Sequence, residues 1–294
     1  INYGGLKIYS AANLDVQKVL NTVYSNRIAF DKEADTAEHP AVQSAATVMD
    51  YEGRIVGIVG QAGEKSGNLC LNRASESPRQ PGSSIKPLST YSLALEKDYI
   101  NWSSMILNYA IYHNGKLWPQ NSDGTHGSKK NVTVQYAIQK SFNTVPVRII
   151  TEMLGVNEAY NFMKKTFHLS TLDDTNDASI APLATGSLTN GVTTVEMAAA
   201  YAVFGNNGYY YKPYCYYKVT NATGTEVLLE TKSEPEKVLS EDTAEVMREL
   251  LKTVPARSFR SSKNLGKFEL MSKTGTTSDT KDSWIAGGTP YYVC

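Results

Sequence analysis

The sequence lacks any run of about eighteen apolar residues, so no segment of it reads as a membrane span. It has no surplus of charge: 29 Lys and Arg stand against 29 Asp and Glu. That balance speaks against a nucleic-acid partner and against an acidic disordered tail. Cysteine is scarce. Cys70, Cys215 and Cys294 are far apart, odd in number and without a C-x-x-C spacing, which excludes a disulfide framework and a thiolate zinc site. The histidines His39, His113, His126 and His168 form no i, i+4 pair, so no metal and no other cofactor is expected. There is no internal repeat. The chain opens at Ile1 with neither methionine nor a signal-peptide pattern, and reads as a fragment or processed product whose anchor would lie upstream. The sequons at Asn101, Asn131 and Asn221 are read as chance matches.

What is present is a folded protein. The 294 residues are 41% hydrophobic, enough for a large core. Residues 1–44 read as an entry segment, with a short alternating strand at 6–10, an amphipathic helix starting near Asp15, and a polar linker over 32–40. Residues 45–294 read as the main domain. A hairpin pairs 45–49 with 54–59 around the turn Asp50-Tyr51-Glu52-Gly53. Ile85, Leu88, Tyr91 and Leu95 recur at helical spacing, with Pro87 in the opening turn. Thr133 caps a helix to Lys140, and a second helix has Pro146 near its start and Gly155 as its stop. Residues 170–192 read as loop, 194–205 as helix, and 209–219 as an extended segment packing large rings on the core. Ser240 caps a helix with a Val246, Met247, Leu250, Leu251, Val254 stripe. A strand over 268–277 is expected to pair with 284–293. Strands at both ends with helices between them predict an α+β layer fold.

Three short motifs follow one another: Ser83-Ser84-Ile85-Lys86, Ser141-Phe142-Asn143 and Lys273-Thr274-Gly275-Thr276. Ser83 and Lys86 are three apart at a helix start and share a face. A serine hydroxyl is a weak nucleophile and needs a base, which a lysine amine supplies if burial or nearby charge keeps it neutral. Backbone N–H groups there can form an oxyanion hole. Ser141 and Asn143 sit on a tight connection between helices, where a hydroxyl can relay a proton and an amide can hold a substrate amide through one donor and one acceptor. Lys273 brings positive charge, and Thr274 and Thr276 bring hydroxyls for a carboxylate. Alternation sets Lys273 and Thr274 on opposite faces, so both serve one site only along a strand edge. Gly275 is expected to let a substrate backbone come close. Taken singly each motif is weak. Ser278-Asp279-Thr280-Lys281 also fits the first pattern, and Ser66-Gly67-Asn68 and Ser262-Lys263-Asn264 fit the second, but in the wrong place or order.

Together the motifs resemble the signature shared by penicillin-binding proteins and class A β-lactamases. The likeness extends over Asn72-Arg73-Ala74, Arg79-Gln80-Pro81-Gly82, Thr185 to Val192, Glu196 to Tyr201, Lys212-Pro213-Tyr214 and Asp282-Ser283-Trp284, and is similar to the transpeptidase domain of class A penicillin-binding proteins. The resemblance implies a central antiparallel sheet flanked by helices with a helical subdomain. It implies a serine D,D-transpeptidase that cross-links peptidoglycan stem peptides and is acylated by β-lactams, at the extracytoplasmic face of a bacterial membrane. It assigns Ser83 as nucleophile, Lys86 as base, Ser141 and Asn143 as relay and amide anchor, and Lys273, Thr274 and Thr276 as the carboxylate site. The backbone N–H groups of Ser83 and Thr276 become the oxyanion hole. It also implies that the C-terminal end of the domain lies beyond Cys294, and that an anchor and a glycosyltransferase domain lie upstream. A D,D-carboxypeptidase, a β-lactamase and a non-catalytic β-lactam sensor are the competing readings. The second motif is Ser-Phe-Asn rather than Ser-Asp-Asn, and no Glu-x-x-Leu-Asn loop follows it, both of which weigh against the β-lactamase.

Overall fold

A computed structural model of the chain describes residues 5–26, 42–65, 67–254 and 268–294. The linker over 32–40, Ser66 and the Ser262-Lys263-Asn264 match lie outside the described residues. The chain begins with β1 (Lys7–Ser10) and α1 (Leu14–Ser25). Asn13 caps α1 by accepting from the N–H groups of Asp15 and Val16. The hairpin of β2 (Ala46–Met49) and β3 (Ile55–Val59) follows. Its turn is closed by the Asp50 carboxylate, which accepts from the Glu52 and Arg54 N–H groups, and by Gly53 at φ 83°. α1 is tied to β3 by Gln17, whose side chain both donates to and accepts from the Ile58 backbone.

A short α2 (Arg73–Glu76) precedes a helical run of uneven winding: a 3₁₀ turn (Gly82–Ile85), a π turn (Pro87–Tyr91) and α3 (Ser92–Glu96). The helix expected from Ser83 is therefore present, and Ile85, Leu88 and Tyr91 are fully buried on it. Pro87 has no N–H for a regular α-helical bond, which fits the change of winding at that residue. Next come β4 (Met105–Asn108), β5 (Ile111–His113), β6 (Lys116–Trp118) and β7 (Lys130–Thr133), as two small antiparallel pairs, β4 with β7 and β5 with β6. The helical subdomain is completed by α4 (Val134–Lys140), α5 (Thr144–Ile149), α6 (Val156–Thr166) and α7 (Ile180–Thr185). α7 corrects the loop reading of 170–192. It is one and a half turns long, carries Pro182 and has no polar face to create a period; Pro182, Leu183 and Ala184 are buried.

α8 (Thr194–Gly205) is the hub. Thr193 and Glu196 form a reciprocal capping box at its start, and Met197 through Phe204 are all buried. The extended segment 209–219 is two strands rather than one: β8 (Tyr209–Tyr210) and β9 (Tyr216–Thr220). β9 joins β1 and β10 (Val227–Glu230) in a three-stranded sheet, and β8 pairs with β11 (Glu236–Lys237). Of the tyrosines in that segment only Tyr210 reaches the core, while Tyr209 and Tyr217 are exposed. α9 (Glu241–Lys252) is capped by Ser240 and buries Met247, Leu250 and Leu251.

The strand expected at the third motif is β12 (Met271–Thr276), paired antiparallel with β13 (Ser283–Gly288). The partner ends at Gly288, not at residue 293. The chain turns at Thr289–Tyr292 and Val293 runs back, exchanging hydrogen bonds with Met49 of β2 while Cys294 exchanges them with Gly287 of β13. This return stitches the two hairpins into one sheet in the order β3, β2, residue 293, β13, β12. α8 covers β2 and β13, and α9 packs on α8 and β12, so helices flank a central antiparallel sheet as expected.

Candidate active site

The three motifs converge although 190 residues separate Ser83 from Lys273. A cleft of about 660 Å³ is bordered by Ser83 from the 3₁₀ turn, Ser141 and Asn143 from the α4–α5 connection, and Thr274 and Thr276 from β12. Trp118, Pro119 and Gln120, and Gly186 and Ser187 just past α7, also line it. Lys86, Lys273 and Gly275 do not open on this cleft. The lysines lie beneath it, fully buried.

The turn that presents Ser83 is built by close backbone contact. Gly82 has φ 53°, a left-handed conformation that a side chain resists, and a Cβ there would lie 2.6 Å from the Thr276 carbonyl. The Pro81 carbonyl accepts from the Ser84 N–H at 3.3 Å and from Ser84 Oγ at 2.7 Å. Tyr201, buried in α8, donates its hydroxyl to the Ser84 carbonyl at 2.6 Å. Gly275 corrects the sequence expectation. A Cβ on it would stand 2.0 Å from the Pro81 carbonyl, so the space it leaves is occupied by the Ser83 turn, not held open for a substrate. The missing side chain lets β12 lie directly against the Ser83 turn.

Ser141 adopts the left-handed conformation at the C-terminal end of α4, with φ 55°. That reversal exposes its carbonyl and those after it to Lys86. Lys86 Nζ donates to the Ser141 carbonyl at 2.9 Å, the Phe142 carbonyl at 3.1 Å and Asn143 Oδ1 at 2.6 Å. Burial and the charge of Lys273 hold the Lys86 amine well below the ordinary lysine range. Lys273 Nζ donates to Ser141 Oγ at 2.7 Å and to the Thr274 carbonyl at 2.9 Å, and burial lowers its pKa to about 7. The two amines thus meet across one serine. Ser83 and Lys86 share the turn as their spacing predicts, but the amine is turned onto the Ser141–Asn143 connection rather than onto the Ser83 hydroxyl.

Asn143 has internal partners that its sequence does not announce. Its amide is engaged inside the protein: Oδ1 accepts from Lys86, and Nδ2 donates to the Gln120 carbonyl at 2.8 Å. One N–H and one lone pair remain for anything else. Alternation along β12 places Lys273 below and Thr274 and Thr276 on the cleft side, and β12 is the edge of the sheet among the described residues. The second S-x-x-K match falls in a 3₁₀ turn after β12, with Lys281 exposed, and not at the start of a longer helix. Among the described residues no cluster of His, Cys, Asp or Glu could hold a metal ion.

Several supports escaped the sequence reading. Tyr201 hides in an apolar helix. Asn121 and Asn108 lie in polar loop and strand-end sequence that carries no motif. Arg79 bonds Asp282 at 2.7 Å, linking the approach to Ser83 with the exit from β12; both residues stand in the quoted likeness, but nothing local pairs them.

The profile of the penicillin binding protein transpeptidase domain matches residues 44–290. Penicillin-binding protein 1A of Clostridium acetobutylicum is 37% identical over 98% of this chain and 37% of its own length. Penicillin-binding protein 4 of Bacillus subtilis is 29% identical over 98% of this chain and 43% of its own length. The chain therefore spans well under half of these curated relatives. Among solved structures, penicillin-binding protein 1A from Haemophilus influenzae superposes with a TM-score of 0.72 at 27% identity, over 86% of this chain and 42% of that one. The PonA1 protein from Mycobacterium tuberculosis in complex with penicillin V superposes with a TM-score of 0.80 at 18% identity, over 99% of this chain and 76% of that one; at that identity the likeness concerns the fold alone.

Proposed function

The chain belongs to the penicillin-binding protein transpeptidase family, and on that premise we propose that it is a serine D,D-transpeptidase that cross-links peptidoglycan stem peptides. The observation that carries this reading is the meeting of Ser83, Ser141, Thr274 and Thr276 on one cleft, with two buried lysines beneath Ser141.

In this reading the donor stem lies along the edge of β12. The Thr274 and Thr276 hydroxyls, with the positive field of Lys273 below, hold its terminal carboxylate. Ser83 Oγ attacks the carbonyl carbon of the penultimate D-alanine, and its proton passes to the neutral amine of Lys86. Lys86 must first release one acceptor on the 141–143 connection and turn a lone pair towards Ser83, a movement about a single side chain. The backbone N–H groups of Ser83 and Thr276 receive the oxyanion. Collapse breaks the C–N bond, and the departing D-alanine nitrogen takes the proton back through Ser141 Oγ, which Lys273 orients. An amine of a second stem then attacks the Ser83 ester and loses a proton by the same route, forming the cross-link and freeing the serine. A β-lactam presents a similar carboxylate and strained amide and acylates Ser83, but its leaving group stays tethered. Asn143 serves the reaction by holding Lys86 and offers a substrate its one remaining N–H. By the same reading the site works outside the cytoplasmic membrane, where peptidoglycan is assembled; among the described residues no helix is long and apolar enough to cross a membrane.

The test is intact mass after incubation with benzylpenicillin, for wild type and Ser83→Ala. An adduct of one drug mass on the wild type alone is expected. Drug destroyed with no lasting adduct would shift the reading to a β-lactamase, and no adduct with the drug intact would overturn it.

A further inference from the structure

We infer that Asn121 is a positioning residue of this site: from outside the three motifs it caps the helix that follows the second one, and so keeps the Asn143 side chain free to hold Lys86. The inference rests on the transpeptidase reading.

Asn143 occupies the N-cap position of α5, yet its side chain makes no capping bond. An N-cap side chain usually takes the N–H of the second or third helical residue. Here the third is Pro146, which has none, and Asn143 Oδ1 already accepts from Lys86 Nζ at 2.6 Å. The backbone N–H groups of Asn143 and Thr144, at the buried start of α5, have no carbonyl of that helix within reach and need an acceptor from elsewhere. Asn121 removes that deficit. Its Oδ1 accepts from the backbone N–H of Asn143 at 2.7 Å and of Thr144 at 3.3 Å.

Asn121 is itself fixed, being 5% exposed. Its Nδ2 donates to Asn108 Oδ1 at 3.1 Å, and the same oxygen accepts from Thr144 Oγ1 at 2.6 Å. Its backbone closes a turn, N–H to the Thr125 carbonyl and carbonyl from the Gly124 N–H. The residue before it, Gln120, supplies the carbonyl that takes Asn143 Nδ2. One loop therefore holds Asn143 at its backbone N–H and at Nδ2, and the next residue at its N–H, and so aims the Asn143 Oδ1 at the lysine. Without Asn121 the 141–143 connection would reorganise towards its own donors and Asn143 would leave Lys86.

The pH dependence of Ser83 acylation separates positioning from mere support. Among the described residues Lys273 is the charged group that bears on Lys86; its other contacts are the neutral acceptors of the connection. An ammonium gains more than an amine from an acceptor, so losing Asn143 favours the neutral form. Benzylpenicillin acylation is followed by intact mass from pH 5 to 9, for wild type, Asn121→Ala and Asn121→Asp. In Asn121→Ala the plateau rate is expected to fall about tenfold or more, and the acidic limb to move down by about half a pH unit or more. In Asn121→Asp the two N–H groups keep an acceptor while a carboxylate arrives near the amine, so the limb moves up. Limbs that coincide with wild type in both variants, whatever their rates, would overturn the inference, as would loss of folding in both. If Asn121→Ala alone fails to fold, the upward shift of Asn121→Asp decides. A wild type that is never acylated sinks the underlying transpeptidase reading instead.

Discussion

Lys86 and Lys273 hold opposite ends of the same residue: the first donates to the Ser141 carbonyl at 2.9 Å, the second to the Ser141 hydroxyl at 2.7 Å. If both were charged they would repel each other across one neutral serine, and no carboxylate bonds either amine among the described residues. The protein tolerates the pair because each can give up its proton at modest cost.

That arrangement fixes how stability responds to pH. Lys273 titrates near 7 in the folded chain and near 10.4 when unfolded. Between those values the unfolded chain binds more protons, so raising the pH favours folding. The guanidinium unfolding free energy is expected to rise by on the order of 2–3 kcal/mol from pH 7 to 9, with Lys86 adding in the same direction. Lys273→Met should remove much of the rise. A wild-type curve that is flat or falling over this interval contradicts the prediction.

Lys86→Met should leave a folded protein that benzylpenicillin acylates about 10²–10⁴ times more slowly. Circular dichroism checks the fold and intact mass the rate. Acylation within a factor of a few of wild type would mean that another group serves as base.

Gly275→Ala adds a single methyl and no polar atom, yet it should be among the most damaging substitutions near the site. The new carbon meets the Pro81 carbonyl, which is backbone and cannot swing aside. Overpacking of this kind costs about 1–3 kcal/mol. A lower melting temperature and a lost Ser83 adduct are expected together, because the turn that must shift is the one carrying Ser83. Normal acylation in a normally stable variant would show that β12 does not need to lie so close.

Tyr201→Phe leaves the Ser84 carbonyl buried without its partner. The expected loss is about 1–3 kcal/mol in chemical unfolding. An unchanged midpoint would mean that the carbonyl finds another donor.

Much of the site was legible because its motifs are local. The three-residue spacing of Ser83 and Lys86, the Thr133 cap and the Ser141 connection are decided within a turn or two of chain. The β2–β3 hairpin was legible because aspartate and glycine mark its turn, and the β12–β13 pair because two strand-like runs follow one another. What stayed hidden depends on contact at long range. Gly275 reads as room for a ligand until the Pro81 carbonyl is seen to fill that room. Asn143 reads as a substrate anchor alone until Lys86 and the Gln120 carbonyl are seen to share its amide. α7 has no polar face to create a period, and the reversal at Thr289 lies inside a run that reads as one strand.

The return of Val293 to Met49 also bears on how the chain is made. A ribosome delivers the β2–β3 hairpin early, but residues 293 and 294, which knit it to β13, come off only after the whole helical subdomain has emerged. During that interval β2 offers an unfilled backbone edge, the kind of surface on which nascent chains cling to one another. Closure of the central sheet therefore couples the first hairpin of the domain to residues about 240 positions further along the chain.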